Sequence, residues 1–238
     1  MIREFCRSVC VRALESRARV VSDDMLTRDA VVFAPHFDDE ALGCGGTIAL
    51  KRQHDADVSV VFMTDGSRSP DGDSAGADLS RRRRAEAVAA GECMGLAEEN
   101  LVFLDFEESK LSEHREDAIR IVQAILENRP CAEVYVPFSR EPNLWSHDHI
   151  ETFEIVHHAL NRLSWSVDVY EYPVWYWYHW PWVSIPLGKR RGGGRIVAHS
   201  LANQLGFGTV AWLNRRVALG DSLGLKRKAL EKYRSQMQ

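Results

Sequence analysis

The sequence predicts an α/β fold: a Rossmann-like, mainly parallel sheet with helices on both faces and a C-terminal aromatic-rich elaboration. Two features carry that expectation. Short apolar runs recur at 31–35 (VVFAP), 57–63 (DVSVVFM), 100–104 (NLVFL), 133–137 (EVYVP) and 167–174 (VDVYEYPV), each of strand length. Helical periods lie between them, near 41–54, 80–95, 113–128 and 147–163. Strands that alternate with helices imply βαβ units, because a parallel neighbour is reached only by a crossover. Right-handed crossovers place helices on both faces and put ligands at the carboxyl ends of the strands.

The elements are justified in turn. Ile2, Phe5, Cys6, Val9, Cys10, Ala13 and Leu14 repeat at helical spacing with arginines on the other face, which predicts a helix packed on the domain. Leu42-Gly43-Cys44-Gly45-Gly46-Thr47 lacks the third glycine of a dinucleotide fingerprint and the lysine of a P-loop. Its glycines are therefore assigned to close approach of a helix to the sheet, and Cys44 to a small buried position. In the run Arg81 to Arg84, a helix spreads successive residues around its circumference, so at least two are solvated charges. Beyond 175 come an aromatic stretch ending at Trp182, a Gly-rich basic loop at 188–195 and a helical pattern near 221–235. The aromatic stretch reads as core packing, as a platform for pyranose faces or as a contact surface. No internal repeat or linker divides the chain. It reads as one domain, 1–238, with a core of about 30–175 and an elaboration of about 176–238.

Composition narrows the function. Apolar residues make up 45% and charged residues 27%, a balance that can bury a substantial core. The formal net charge of −4 argues against a nucleic-acid partner held by bulk positive charge. No run approaches the roughly 20 apolar residues of a membrane span, and the arginine-rich start has no uninterrupted apolar stretch of a secretory signal. Five cysteines without a CxxC pair imply neither a disulfide framework nor a zinc knuckle. A reducing cytoplasm is the expected setting.

The chemistry concentrates in two strings. Pro35-His36-Phe37-Asp38-Asp39-Glu40 directly follows the first buried strand. Three successive acids there repel one another unless a cation or a proton compensates. The strand-to-helix turn lets His36 and Asp39 converge with Asp38 beside them, and imidazole with carboxylate suits zinc. The bland alternative is an acidic turn that complements the dipole of the helix behind it. Ser146-His147-Asp148-His149 follows the fourth strand at the start of a helix, with Ser146 as its N-cap. One histidine from it would complete the three ligands that a catalytic zinc requires.

These strings resemble the zinc N-deacetylases of the LmbE/PIG-L superfamily, whose signature is (P/A)H-x-DDE followed by a small-residue helix start. The resemblance continues in register. Met63-Thr64-Asp65-Gly66 resembles the family's turn after the second strand. Arg83-x-x-Glu86-x-x-x-Ala90-x-x-x-Met94-Gly95 matches its R-x-x-E-x-x-x-A-x-x-x-L-G helix. Asp148-His149 matches the close of its second metal motif. Lys226-x-x-Ala229-Leu230-x-x-Tyr233-x-Ser235-Gln236 resembles its terminal block. The resemblance implies that His36, Asp39 and His149 bind Zn2+, with other divalent ions also accepted, and that Asp38 is the general base. It implies hydrolysis of an N-acetyl group, usually on a glucosamine unit. It also places Asp148 with the catalytic residues and Arg83 against substrate hydroxyls or a phosphate; Ser146, His147 and Trp175 complete the expected substrate contacts.

One position departs from the family. Many relatives have H-x-D-H, in which the aspartate orients the first histidine as an assisting acid; here that position is Ser146. A hydroxyl cannot act as an imidazolium, so Asp148 is left to orient another partner or to cap its helix. His179 or His199 is a candidate replacement from the C-terminal elaboration. The expected partner is a small molecule or glycoconjugate bearing an N-acetyl sugar, with a second copy of the chain a further candidate. Amide hydrolysis on a non-sugar acyl amine and a non-catalytic sugar-binding role are the competing functions.

Overall fold

The computed structural model describes residues 2–68, 76–140, 147–174 and 212–236, with the backbone alone described for 2–7 and 10. After helix α1 (Ile2–Arg17), strand β1 (Ala30–Ala34) enters the core and helix α2 (Asp39–Gln53) returns from it. Strand β2 (Val58–Thr64), helix α3 (Ala77–Cys93), strand β3 (Leu101–Phe106) and helix α4 (Arg115–Asn128) follow. Strand β4 (Glu133–Pro137), helix α5 (Asp148–Leu160), strand β5 (Asp168–Tyr172) and helix α6 (Ser222–Leu230) complete the order. All five strands are parallel, in the spatial order β3-β2-β1-β4-β5. The strand order reverses beside β1, so β1 and β4 flank the crevice where such sheets bind ligands.

Burial explains the strand sequences. Every residue of β1 and β2 is buried, as expected of near-continuous apolar runs covered on both faces. Alternation divides them between two cores. Val32, Ala34, Val58, Val60 and Phe62 face Ala41, Ile48, Ala87 and Ala90 of α2 and α3. Val31, Phe33, Val61, Met63, Val134 and Val136 face Ile119, Val122, Leu126, Ile155 and Val156 of α4 and α5. The expected helices on both faces are present.

The structure also refines the sequence reading. Helix α2 starts at Asp39, two residues earlier than its apolar period, because its first turn is acidic. Helix α5 is preceded by His147, whose φ and ψ of −75° and −19° are already helical, and the N-cap expected at Ser146 lies outside the described residues. Arg19–Val20 pairs in parallel with Arg215–Arg216, a short ribbon without an apolar signature. Ala229 and Tyr233 belong to the same core as β1 and α2, so α6 is built into the core. The stretch from Trp175 to Trp182, the loop 188–195, Ser146, His179 and His199 lie outside the described residues. Among those described, no helix is long and apolar enough to cross a membrane.

The glycines of α2 act by being small. A Cβ on Gly43 would stand 2.1 Å from the Tyr172 ring, whose hydroxyl donates to the Phe33 carbonyl at 2.7 Å. The far end of α2 is held by a buried ion pair. Lys51 Nζ donates to the Met25 and Arg28 carbonyls at 2.6 and 2.8 Å and lies 2.8 Å from Glu133 Oε2. Removing one partner strands a buried charge, which costs on the order of 3–5 kcal/mol. Lys51→Ala is therefore expected to lower the stability by about that amount in urea unfolding, while Lys228→Ala on exposed α6 surface stays within about 0.5 kcal/mol of the parent.

Candidate metal centre and active site

The site is assembled from the loops that leave the carboxyl ends of β1, β2, β3 and β4. After β1, Pro35 accepts hydrogen bonds from the Thr64 N–H at 3.1 Å and the Thr64 hydroxyl at 2.8 Å. Phe37 is buried against Phe62 and Phe103, which anchors the turn and leaves His36 and Asp38 on its other side. Asp38 has a φ of 96°, a conformation that costs a non-glycine residue on the order of 1–3 kcal/mol and persists only when its surroundings enforce it. Behind the turn stands Tyr233, which lies just beyond α6 and is fully buried. Its hydroxyl donates to Glu40 Oε1 at 2.5 Å.

Asp39 stands between two imidazoles. Its Oδ2 is 3.1 Å from His36 Nδ1 and 3.3 Å from His149 Nε2, and it accepts the His36 main-chain N–H at 3.0 Å. The three donor atoms of His36, Asp39 and His149 all lie within 4.8 Å of one another. Donors bound about 2.0–2.1 Å from a tetrahedral zinc stand roughly 3.3 Å apart, so these separations suit a common ion. Asp39 Oδ1 is buried with no hydrogen-bond partner, which leaves an anionic oxygen that a cation would satisfy. The residues present fit a divalent metal.

The electrostatics follow from burial and proximity. Burial pushes the Asp39 carboxyl up, yet His149 and His36 outweigh it and hold the group below the usual carboxylate range. Burial opposes charge on His36, but hydrogen bonds to Asp148 and Asp39 raise its pKa well above the ordinary value. Asp38 goes the other way: burial, then the charges of Asp39 and Glu40, push it well up despite His36 and Arg83. Glu40 is pushed up to about 7, chiefly by burial. Burial also raises the Cys44 thiol, in keeping with an inert packing role.

Two further loops close the edge. Gly66 has a φ of +61°, and a Cβ there would meet the Phe37 ring at 2.6 Å, so the turn after β2 requires glycine. Arg83, alone buried in its arginine run, donates from Nη1 to the Gly66 and Arg68 carbonyls, both at 2.9 Å, and lies 3.4 Å from Glu108. Asp65 Oδ1 accepts the Ser67 and Glu108 main-chain N–H groups at 3.0 and 3.2 Å, which ties the loop after β2 to the loop after β3. Asp148, the first residue of α5, accepts the Ser109 N–H at 2.8 Å on Oδ2, which also lies 3.1 Å from His36 Nε2. His147 is exposed at the helix start, apart from the converging donors. A separate cavity of about 570 Å3 lies between α1, α2 and β5, lined by Leu14, Cys44, Tyr135, Phe138, Tyr172 and Trp212.

Sequence reasoning brought together His36, Asp38, Asp39, Asp148 and His149, and the structure places all of them in this crevice. It missed Glu108 and Ser109. Their only signal was position, directly after a strand on the ligand-binding edge of a parallel sheet. It noted Tyr233 as part of a terminal block without a role, because a contact across 193 residues leaves no local pattern.

A parallel α/β domain with two histidines and a carboxylate converging at its switch point defines an α/β protein whose ligand-binding edge could hold a metal ion. The family can be named more closely: the chain belongs to the PIG-L family, described as GlcNAc-PI de-N-acetylase, whose model matches residues 31–160. A diacetylchitobiose deacetylase of Thermococcus kodakarensis is 33% identical over 114 residues, which is 46% of this chain and 42% of that protein. The aligned region thus spans about two-fifths of that relative's length. The inhibitor-bound structure of N,N'-diacetylchitobiose deacetylase from Pyrococcus horikoshii has a TM-score of 0.65 at 20% identity, covering 100% of this chain and 80% of that one. The zinc-inhibited form of a teicoplanin deacetylase has a TM-score of 0.61 at 16% identity, covering 88% and 85%. At those identities the two structures speak for the fold.

The raised Glu40 carboxyl gives a pH signature. In the metal-free protein the folded state binds its proton more tightly than the unfolded state, whose carboxyl titrates near 4.5. The folded state therefore loses stability relative to the unfolded one as pH rises from about 4.5 to 7, and the loss is constant above that range. Glu40→Gln removes this titration. The stability of the variant minus that of the parent is expected to rise across that window, by on the order of 3 kcal/mol, and then level off. Urea unfolding of both proteins between pH 4.5 and 8.5 measures it; a flat difference would show that the carboxyl is not held protonated.

Proposed function

We propose that this protein is a zinc-dependent N-deacetylase that removes the N-acetyl, or another N-acyl, group from an N-acetylglucosamine-type sugar on a glycoconjugate or natural product. The observation that carries this reading is the convergence of His36, Asp39 and His149 with the elevated carboxyl of Asp38 beside them. Family membership supports it, as do the names of the similar proteins, which act on diacetylchitobiose and teicoplanin. Two imidazoles and a carboxylate suit zinc, and Fe2+ or Co2+ would accept the same donors.

When bound, the ion supplies a Lewis acid and lowers the pKa of the water it holds. The chain's own residues then divide the work. Asp38, more basic than an ordinary carboxylate because of burial and its acidic neighbours, takes a proton from the attacking water. The water oxygen bonds to the acyl carbon, the C–N bond breaks, and Asp38 returns the proton to the departing amine. A serine at 146 cannot deliver that proton, so this assignment gives Asp38 both transfers. Arg83 holds the 65–68 loop at the edge of the crevice and tempers the charge of Asp38. Substrate contacts are assigned to that edge, with Ser146, His147 and Trp175. A reducing, cytoplasmic setting belongs to the same proposal, in keeping with the free thiols of Cys44, Cys93 and Cys131.

Acetate release from a panel of N-acetylglucosaminides, with and without a chelator, tests the reading. The panel holds the free sugar, a nucleotide sugar, a lipid-linked sugar and oligosaccharides. Chelator-sensitive release from one class is the expected result. Asp38→Asn should lower turnover by about 10²–10⁴-fold while metal content stays unchanged. Full activity in that variant would remove Asp38 from the mechanism. Failure of the parent to take up any divalent metal would sink the deacetylase reading altogether.

A further inference from the structure

We propose that Asp148 is a positioning residue for the metal centre: its carboxylate holds the Nε2–H of His36, so that the Nδ1 lone pair faces Asp39 and His149. The proposal rests on the metal-centre reading above. It assigns to Asp148 a different partner from the histidine that the family resemblance puts two residues before it, a position occupied here by serine.

The geometry is specific. An imidazole has two nitrogens, and the partner of one decides whether the other presents a lone pair or a proton. His36 Nδ1 lies on the side of Asp39 Oδ2, at 3.1 Å, and the His149 ring stands 5.3 Å from the His36 ring. Nε2 lies on the opposite side, 3.1 Å from Asp148 Oδ2. A carboxylate cannot donate, so Asp148 calls for a proton on Nε2; Asp39 does the same for Nδ1 until a cation is held among His36, Asp39 and His149, whereupon Nδ1 turns its lone pair to the ion and the proton is left on Nε2. Nδ1 is then the ligand atom, and the arrangement is a carboxylate–histidine–metal chain in which the outer carboxylate fixes ring orientation and raises ligand basicity.

Asp148 is itself held for this task. Its side chain is 1% exposed, and its Oδ2 accepts the Ser109 main-chain N–H at 2.8 Å. Ser109 makes that N–H available from a φ of 68°, an unfavourable conformation for a serine. A buried carboxylate with a fixed N–H donor is held in one orientation, whereas a residue that only began a helix would need neither constraint. The loop after β3 and the first turn of α5 are thereby joined to the ligand supplied by the loop after β1.

Removing such an outer carboxylate weakens metal binding by about 10–100-fold. The test strips the full-length protein of metal and measures Zn2+ affinity by competition with a chromophoric chelator, for the parent, Asp148→Asn and Asp148→Ala. Asp148→Ala is expected to lose about 10–100-fold and Asp148→Asn less, because its amide oxygen still accepts the Nε2–H. Equal affinity in parent and Asp148→Ala would overturn the proposal and leave the metal centre standing. No zinc binding by the parent would instead overturn the metal centre, and the proposal with it. Long-range ¹H–¹⁵N correlation spectra of the zinc-loaded parent give a readout that needs no variant of Asp148. His36 with its proton on Nε2 supports the assignment; His36 with its proton on Nδ1 refutes it, even if the variants fail to fold.

Discussion

Three consecutive carboxyl groups are held inside the protein at the carboxyl end of its central strand, and the surrounding structure exists to compensate them. Asp39 and Glu40 are fully buried and Asp38 is half-buried. Left in an apolar interior, three such charges would repel one another and lose their hydration. Each is answered differently. Asp39 is flanked by His36 and His149 and stays anionic. Glu40 takes the Tyr233 hydroxyl and is held close to neutrality. Asp38 has the fields of His36 and Arg83 against burial and its two acidic neighbours, and its carboxyl is pushed well up. One run of sequence thus yields an anionic carboxylate between two imidazoles and two carboxyl groups that hold their protons more tightly than usual.

That division depends on parts of the chain far from the motif. Tyr233 reaches the site from beyond α6, and Lys226 of that helix donates to the Leu42 carbonyl at 2.7 Å. Ser235 adds a main-chain and a hydroxyl bond to Glu86 of α3. The terminal block is therefore a clamp across α2 and α3, and its tyrosine holds the Glu40 carboxyl. Arg83 has a comparable role on the opposite side of the crevice, where one guanidinium nitrogen gathers two carbonyls of the glycine turn.

What could be read from the sequence follows from which signals are local. The alternation of β-branched runs with helical periods is local, so the sheet, its two covered faces and its ligand-binding edge were legible. The acidic string after β1 and the Asp148-His149 pair were legible because each sits next to a strand. Start and end points were less so: the apolar period of α2 begins at Ala41, while the helix begins with the two acids before it. The partner of Asp148 was not legible at all. It depends on the β3 loop presenting the Ser109 N–H and on the turn at His36 presenting Nε2, two backbone conformations with no compositional mark. The Tyr233 contact was hidden for the same reason.

The seating of α2 explains how a carboxylate on one helix can converge with an imidazole on another. Asp39 begins α2, whereas His149 lies in the first turn of α5, so their separation is only as constant as the packing between two elements linked through the sheet. A metal site tolerates donor displacements of about 0.2 Å. Helix α2 is fixed along its length: by Tyr233 on Glu40 at its start, by ring contact at Gly43, and by Lys51 to Glu133 on β4. The last of these matters most for His149, because β4 is the strand whose continuation leads into α5. The ion pair at the amino end of the sheet and the His36, Asp39 and His149 cluster at the carboxyl end thus tie the same two segments together from opposite ends, which keeps Asp39 and His149 in register without a covalent link.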